Sequence, residues 1–154
     1  SESYGKDVSV EILTIGKKAA DGLKAANRAG DHSSIYDDLT FDASATIAND
    51  LIEAFIAEQY DEIRLVYNSF KNAATQIIKN EAFLPMVAEG DASETTTEEY
   101  IFEPSAEEIV NELIPKSLKI QLYKAIRDSF ASEHGARMTA MHKATDNAKE
   151  LRDQ

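Results

Sequence analysis

The sequence has 154 residues, 43% of them hydrophobic, which is enough for one domain with a buried core. A formal net charge of −12 argues against nucleic acid as a partner of the surface as a whole. Without cysteine the chain has no disulfide, thiolate or cysteine-based zinc chemistry, and no apolar run approaches the ~20 residues of a membrane-spanning helix.

The charge is distributed unevenly along the chain. Residues 1–115 carry 8 basic and 23 acidic side chains, whereas residues 116–154 carry 8 basic and 5 acidic ones. A basic tail on an acidic body would be attracted to an acidic partner surface. Charge alone favours the simpler alternative, a solvated helix face that contributes little binding energy.

The first part of the chain predicts alternating strands and helices. Residues 8–15 are rich in β-branched side chains and precede Gly16, which indicates a buried strand followed by a turn. Residues 17–28 predict a helix. Asp42 is a suitable N-cap for a second helix over residues 43–59. One face of that helix is expected to be buried, because its apolar side chains recur at three- and four-residue spacing: Ile47, Leu51, Ile52, Phe55 and Ile56.

Two further strands are predicted at residues 63–67 and 75–78, with residues 68–72 connecting them. The order strand, helix, helix, strand predicts an α/β layer built on a partly parallel sheet. Residues 88–99 are acidic and without apolar content, which predicts a loop, and residues 100–102 predict a short strand.

A C-terminal helical segment is predicted to begin at residue 105, after a globular domain over residues 1–104. Ser105 and Glu108 form a capping box. Pro115 would break this first helix, but it suits the first turn of a new one over residues 115–154. Gly135 costs that helix about 1 kcal/mol without ending it. Forty helical residues span ~60 Å, so the far end is expected to project beyond the domain.

The long helix changes character near its middle. Leu118, Leu122, Ile126 and Phe130 follow four-residue steps, which predicts packing on the domain. Beyond them, steps of four and three indicate a coiled-coil seam of small or soft side chains: Phe130, His134, Arg137, Met141, Ala144, Ala148 and Leu151. The alternative is an ordinary amphipathic helix folded back on the sheet.

The residues that carry chemistry do not form a recognisable active site. Gly16-Lys17-Lys18 lacks the other residues of a phosphate-binding loop and is interpreted as a strand-to-helix turn. The three histidines and the acidic pairs lack the spacing of a zinc or calcium site, and no GxGxxG indicates a dinucleotide. We therefore predict no catalytic residue, no metal and no cofactor.

Residues 132–148 read SEHGARMTAMHKATDNA. This run closely resembles the C-terminal signature of the gamma subunit of F-type ATP synthases. The matching residues are Ser132, Glu133, Ala136, Arg137, Met138, Ala140, Met141, Ala144, Thr145, Asn147 and Ala148. Upstream, the chain is similar to the family's central domain at Tyr67-Asn68-x-Phe70-x-Asn72 with Gln76, Leu84-Pro85, Phe102-Glu103-Pro104-Ser105 and Leu113-Ile114-Pro115.

The resemblance implies an α/β fold with a Rossmann-like three-layer central domain and a long C-terminal helix that forms half of a coiled coil. The other half would be the N-terminal helix of the gamma subunit. It also implies a non-catalytic rotor subunit that transmits torque, since nucleotide chemistry belongs to the beta subunits. The implied partners are the alpha, beta and epsilon subunits and the membrane c-ring. The implied location is peripheral, on the cytoplasmic side of a bacterial plasma membrane.

The resemblance assigns a subunit interface to the long helix, through Glu133, Arg137, Met138, Met141, Ala144, Thr145, Asn147 and Ala148. For Arg137 the alternative is an i, i+4 pair with Glu133 alone. The family's first helix and its Asp-Arg-Gly-Leu-Cys-Gly-Gly run are missing, and its last helix continues past Gln154. The chain is therefore expected to be part of a gamma subunit. The rival class is a stand-alone α/β binding or signalling domain with a helical dimerisation arm.

Overall fold

The computed structural model describes residues 8–23, 27–86 and 109–153. In chain order its elements are β1 (Ile12–Thr14), α1 (Lys17–Gly22), β2 (Arg28–Asp31), a 3₁₀ turn (Ser33–Tyr36), α2 (Phe41–Ile56), β3 (Ile63–Asn72), β4 (Thr75–Leu84), a π-helical turn (Ile109–Leu113) and α3 (Ile114–Asp153). Strands β1 and β2 pair in parallel and β3 and β4 pair antiparallel. The predicted α/β class, with parallel pairing and a long C-terminal helix, is confirmed.

The chain divides into two compact units, residues 1–44 and 45–154, and the boundary falls within α2. In the first unit α1 connects the parallel strands β1 and β2, whose register places Leu13 beside Gly30. The buried Thr14 donates its hydroxyl to the carbonyl oxygen of Gly30 at 3.2 Å. Gly16 has φ 113°, which favours glycine, and lies at the turn into α1 as predicted.

Both predictions for the start of the chain were too long. The first strand covers three residues rather than residues 8–15, because only these pair with β2, and Val8 and Val10 are exposed. The first helix ends at Gly22 rather than at residue 28. Arg28 instead belongs to β2, and its guanidinium donates to the carbonyl oxygen of Ala20 at 3.1 Å.

Helix α2 begins two residues earlier than predicted. Thr40 accepts a hydrogen bond from the backbone N–H of Ala43 at 3.3 Å, so Thr40 caps the helix and the prediction of Asp42 as N-cap was wrong. Asp42 lies inside the first turn, where a negative charge is favourable. Ile47 is buried as predicted, whereas Ile56, the last residue of the helix, is exposed.

Strands β3 and β4 form a ten-residue hairpin, which is twice the predicted strand length or more. Residues 68–72 continue β3 instead of connecting two strands, because the pairing with β4 extends to Asn72, which lies opposite Thr75. The side-chain oxygen of Asn72 accepts the N–H of Ala74 at 3.0 Å and tightens the turn. Residues 72–75 are called the hairpin tip below.

Helix α3 has forty residues and was predicted correctly to within one residue at its start. Pro115 lies in its first turn, where no backbone donor is needed. The predicted loop at residues 88–99, strand at 100–102 and capping box at 105–108 lie outside the described residues. The domain boundary predicted at residue 104 lies there too and stays a prediction. Within the described ranges, no helix is both long and apolar enough to cross a bilayer.

Candidate subunit interface on the last helix

Helix α3 buries one face on the β3–β4 hairpin. Its buried residues are Leu118, Leu122, Ala125, Ile126, Ser132 and Gly135. Phe130 was predicted to belong to this face, but it is 36% exposed. At about 100° per residue, repeated four-residue steps carry Phe130 roughly 120° around the helix from Leu118, whereas Ala125 and Ser132 stay within about 40° of it.

Polar contacts fix the register between helix and hairpin. Gln121 donates its side-chain amide to the carbonyl oxygen of Ala82 at 3.3 Å, near the open end of the hairpin. Ser69 donates to the carboxylate of Asp128 at 3.2 Å. Each contact joins residues at least 39 positions apart, so together they determine which turn of α3 lies over which pair of strand residues.

A charged network lies on the hairpin beneath the helix. Glu81 accepts hydrogen bonds from the Tyr67 hydroxyl and the Lys79 ammonium, each at 3.0 Å. The hydrogen bond from Lys79 is the main reason that the pKa of Glu81 lies below its usual value. Burial, and then the hydrogen bond to Glu81, raise the pKa of Tyr67 to about 12. Tyr67 therefore stays neutral at physiological pH and acts as a structural donor.

The last contacts between α3 and the hairpin were missed by sequence reasoning. Ser132 is buried and donates to the carbonyl oxygen of Asn68 at 3.0 Å. Thr139 lies one turn past Gly135, and its hydroxyl is 3.1 Å from the carbonyl oxygen of Ala73. The sequence did carry a signal for these contacts. The small residues Ser132, Gly135 and Thr139 follow three- and four-residue spacing inside the signature run, so they lie along one side of the helix.

Beyond Thr139 the described residues of α3 are all exposed. The predicted interface residues Met141, Ala144, Thr145, Asn147 and Ala148 lie in this distal segment, residues 140–153. Thr145 donates its hydroxyl to the carbonyl oxygen of Met141 at 3.0 Å, which is a contact within the helix. Met141 is 57% exposed, so a large apolar side chain faces solvent here.

Glu133, Arg137 and Met138 precede the distal segment and are also exposed. Glu133 and Arg137 form the predicted i, i+4 ion pair, with more than half of each side chain exposed. Such a pair contributes a few tenths of a kcal/mol to helix stability. The Glu133–Arg137 pair lies within α3 and does not join it to another element of the described chain.

The predicted seam lies on a different face from the hairpin contacts. Relative to Leu118, at about 100° per residue, the seam residues cluster between roughly 60° and 160° around the helix: Phe130, His134, Arg137, Met141, Ala144, Ala148 and Leu151. The buried Ile126, at about 80°, lies at the edge of this range. The rings of Phe130 and His134 meet edge to face with their centroids 4.4 Å apart. On the same side, Arg127 stacks over the ring of Tyr123 at 5.7 Å. One continuous face of α3 therefore points away from the hairpin.

No group of three or more acidic or histidine side chains is placed to hold a metal ion in the described part of the chain. The lowered pKa of Glu81 follows mainly from its hydrogen bond with Lys79, and the raised pKa of Tyr67 follows mainly from burial. The described part of α3 thus consists of a segment packed on the hairpin and an exposed distal segment.

Comparison with known proteins agrees with this geometry. A family model described as ATP synthase matches residues 1–154. The ATP synthase gamma chain of Christiangramia forsetii is 58% identical over 149 residues, which is 96% of this chain and 52% of that gamma chain. The chain belongs to the ATP synthase gamma family. The gamma chain of Flavobacterium psychrophilum is 60% identical over 146 residues, or 94% of this chain and 51% of the relative.

The family predicted from the signature run is thus confirmed. The chain spans about half the length of the curated relatives it matches. A chain in the cryo-EM structure of the central stalk and c-ring of the Tetrahymena thermophila mitochondrial ATP synthase is similar in fold, with a TM-score of 0.62 and 24% identity. That likeness covers 87% of this chain and 60% of the other.

Proposed function

We propose that this protein is a non-catalytic central-stalk subunit of a proton-translocating F-type ATP synthase. It transmits torque between the membrane rotor and the catalytic ring. The observation that carries the proposal is the division of α3, which is packed on the hairpin as far as Thr139 and exposed beyond it. A helix held firmly at one end and free to contact partners at the other suits the transfer of force between assemblies.

The exposed face of α3 is the proposed contact for the N-terminal helix of the gamma subunit. Ala144 and Ala148 are small enough for a second helix to approach closely, and Met141 supplies a flexible apolar contact. Heptad spacing keeps these side chains on one side of the helix, as a coiled coil requires. In this arrangement the globular domain ends at residue 104, and residues 105–154 form the C-terminal helical segment.

Charge gives less support to an acidic partner for the distal segment than the sequence first indicated. The net charge of +3 in the tail comes from residues 116–131, whereas residues 132–154 carry four basic and four acidic side chains. The distal charges also pair locally, as Lys149 does with Asp146 at 3.9 Å and Arg152 with Asp153 at 2.8 Å. Packing of the seam, rather than electrostatic attraction, therefore supports the proposed interface.

The further proposed partners are the alpha, beta and epsilon subunits and the c-ring. The proposed location is the cytoplasmic side of a bacterial plasma membrane, with peripheral attachment through these subunits. Relatives named as ATP synthase gamma chains from bacteria support this assignment. The catalytic residues would belong to the beta subunits, and this chain would contribute none.

The proposal is tested by measuring protons pumped per ATP hydrolysed in the assembled enzyme, with substitutions in the whole gamma subunit. Met141→Asp places a charge in the seam and is expected to lower this ratio while ATP hydrolysis continues. His142→Asp adds the same charge to the neighbouring exposed position off the seam and is the matched control. Equal coupling in the two variants would contradict the proposed interface.

Arg137→Ala in the same assay distinguishes two roles of Arg137, a contact with a partner subunit or an ion pair with Glu133 alone. Reduced coupling is expected if Arg137 contacts a partner, whereas unchanged coupling would remove it from the interface. Saturable binding of ATP or NAD by the 154-residue chain would instead favour the stand-alone binding domain.

A further inference from the structure

We propose that Gly135 and Thr139 form an anchor for the hairpin tip and fix the point and direction in which α3 leaves the domain. The anchor joins α3 to the backbone of Ala73, 66 positions earlier in the chain. Its mechanical consequence rests on the proposed rotor function.

Gly135 allows the hairpin backbone to approach the helix closely. A Cβ at this position would lie 3.1 Å from the Cα of Ala73, 3.2 Å from Cε2 of Phe70 and 3.3 Å from the carbonyl oxygen of Ala73. These distances are shorter than ordinary van der Waals contact, and two of the three atoms belong to the backbone. A larger residue would therefore have to move the hairpin tip, and this contact explains why a poor helix former is placed in mid-helix.

Thr139 completes the anchor by hydrogen bonding. Its hydroxyl has one proton and lies 3.1 Å from the carbonyl oxygen of Ala73 and 3.0 Å from that of Gly135, so these two acceptors share the donor. The hydrogen bond to Ala73 is the one that joins α3 to the hairpin tip. The carbonyl oxygen of Ala73 also accepts the side-chain amide of Gln76 at 3.4 Å. The tip is thus held from its own strand and from α3 at once.

The position of the anchor determines its effect on the distal segment. Ser132, Gly135 and Thr139 contact the hairpin, and every described residue after Thr139 is exposed. The distal segment of fourteen residues extends about 21 Å past the anchor, so a 10° change in helix direction there moves its end by about 4 Å. A rotor contact placed on that end would depend on the anchor for its position.

The test uses distances between two spin labels in the 154-residue chain, which has no native cysteine. Val66→Cys places one label on the exposed face of β3, and Lys143→Cys places the other one turn past the anchor. Thr139→Val removes the hydroxyl and keeps the β-branched shape. Thr145→Val is the matched control, because the Thr145 hydroxyl bonds only within its own helix.

Thr139→Val is expected to broaden the distance distribution and to speed amide exchange next to the anchor about fivefold, which corresponds to one lost hydrogen bond. Thr145→Val is expected to change neither, and circular dichroism should show the same helix content in both. Gly135→Ala should shift the mean distance. Identical distance distributions in Thr139→Val, Gly135→Ala and Thr145→Val would overturn the anchor.

These measurements involve no other subunit, so their failure would leave the rotor proposal standing. Loss of coupling in the assembled enzyme after Thr139→Val, but not after Ser117→Ala at an exposed position of the same helix outside the proposed interface, would connect the anchor to torque transmission. Normal coupling in a chain whose distance distribution is broadened would contradict the mechanical role while leaving the anchor intact.

Discussion

The two ends of α3 share a secondary structure and differ in almost everything else. From Leu118 to Thr139 the helix buries aliphatic side chains and bonds to the hairpin. From residue 140 to residue 153 it is exposed on all sides, with Met141 and Leu151 facing solvent. A segment can therefore be helical without being packed, although packing on other elements supplies most of the stability of a helix in a protein.

The largest expected difference between the two ends comes from deleting an apolar side chain. Leu122 is 2% exposed, so Leu122→Ala should lower the free energy of unfolding by about 2–5 kcal/mol through lost burial and a cavity. Met141→Ala, in the exposed part of the same helix, should change it by less than about 0.5 kcal/mol. Urea unfolding of both variants measures this contrast, and similar losses would show that the distal segment is packed as well.

A smaller effect is expected from a single buried hydroxyl. Ser132→Ala leaves the carbonyl oxygen of Asn68 without its partner and should cost about 1–2 kcal/mol of unfolding free energy. Ser117→Ala is the matched control, because Ser117 is exposed on the same helix. Thermal unfolding of the pair checks the prediction, and an equal melting temperature would remove Ser132 from the contacts that fix the register.

The remaining expected effect is confined to alkaline pH and is a pH dependence in the packed region. The folded chain raises the pKa of Tyr67 to about 12 from an ordinary value of 10.0, so the folded state holds this proton more tightly. The stability gained is complete below pH 10 and is lost as the pH rises from 10 to 12. The difference in urea midpoint between the parent chain and Tyr67→Phe should therefore shrink across this window, and a constant difference would contradict the prediction.

The sequence predicted α3 well because the physical signals for its start and interior are local. Pro115 marks the start, and from there to the end no residue breaks the helix. The spacing also placed the proposed seam residues on one side of α3, since this needs only the period of one helix, and their pairing with a second helix stays a prediction. The family followed from the residues at 132–148, which match a long and specific run.

The hairpin and the anchor were not predictable in the same way. Residues 68–72 contain two asparagines and a lysine, which indicate a connection, yet pairing with β4 holds them in a strand. In the sequence, Gly135 indicates only a loss of helix stability. Its role in packing depends on Ala73, which the fold places beside it. Phe130 continues the four-residue spacing, but the hairpin surface follows the 4-3 pattern that leads to Ser132 instead. These outcomes depend on contacts between distant parts of the chain.

The most direct test of the account is amide hydrogen exchange along α3, measured in the 154-residue chain as a monomer and in a whole gamma subunit that contains it. Residues 118–135 should be equally protected in both, because the hairpin is present in both. Residues 140–153 should exchange rapidly in the monomeric chain and become protected in the whole subunit, where the proposed N-terminal helix covers the seam. Full protection of residues 140–153 in the monomeric chain, or none in the whole subunit, would contradict the division of α3 into an anchored half and a partner-binding half.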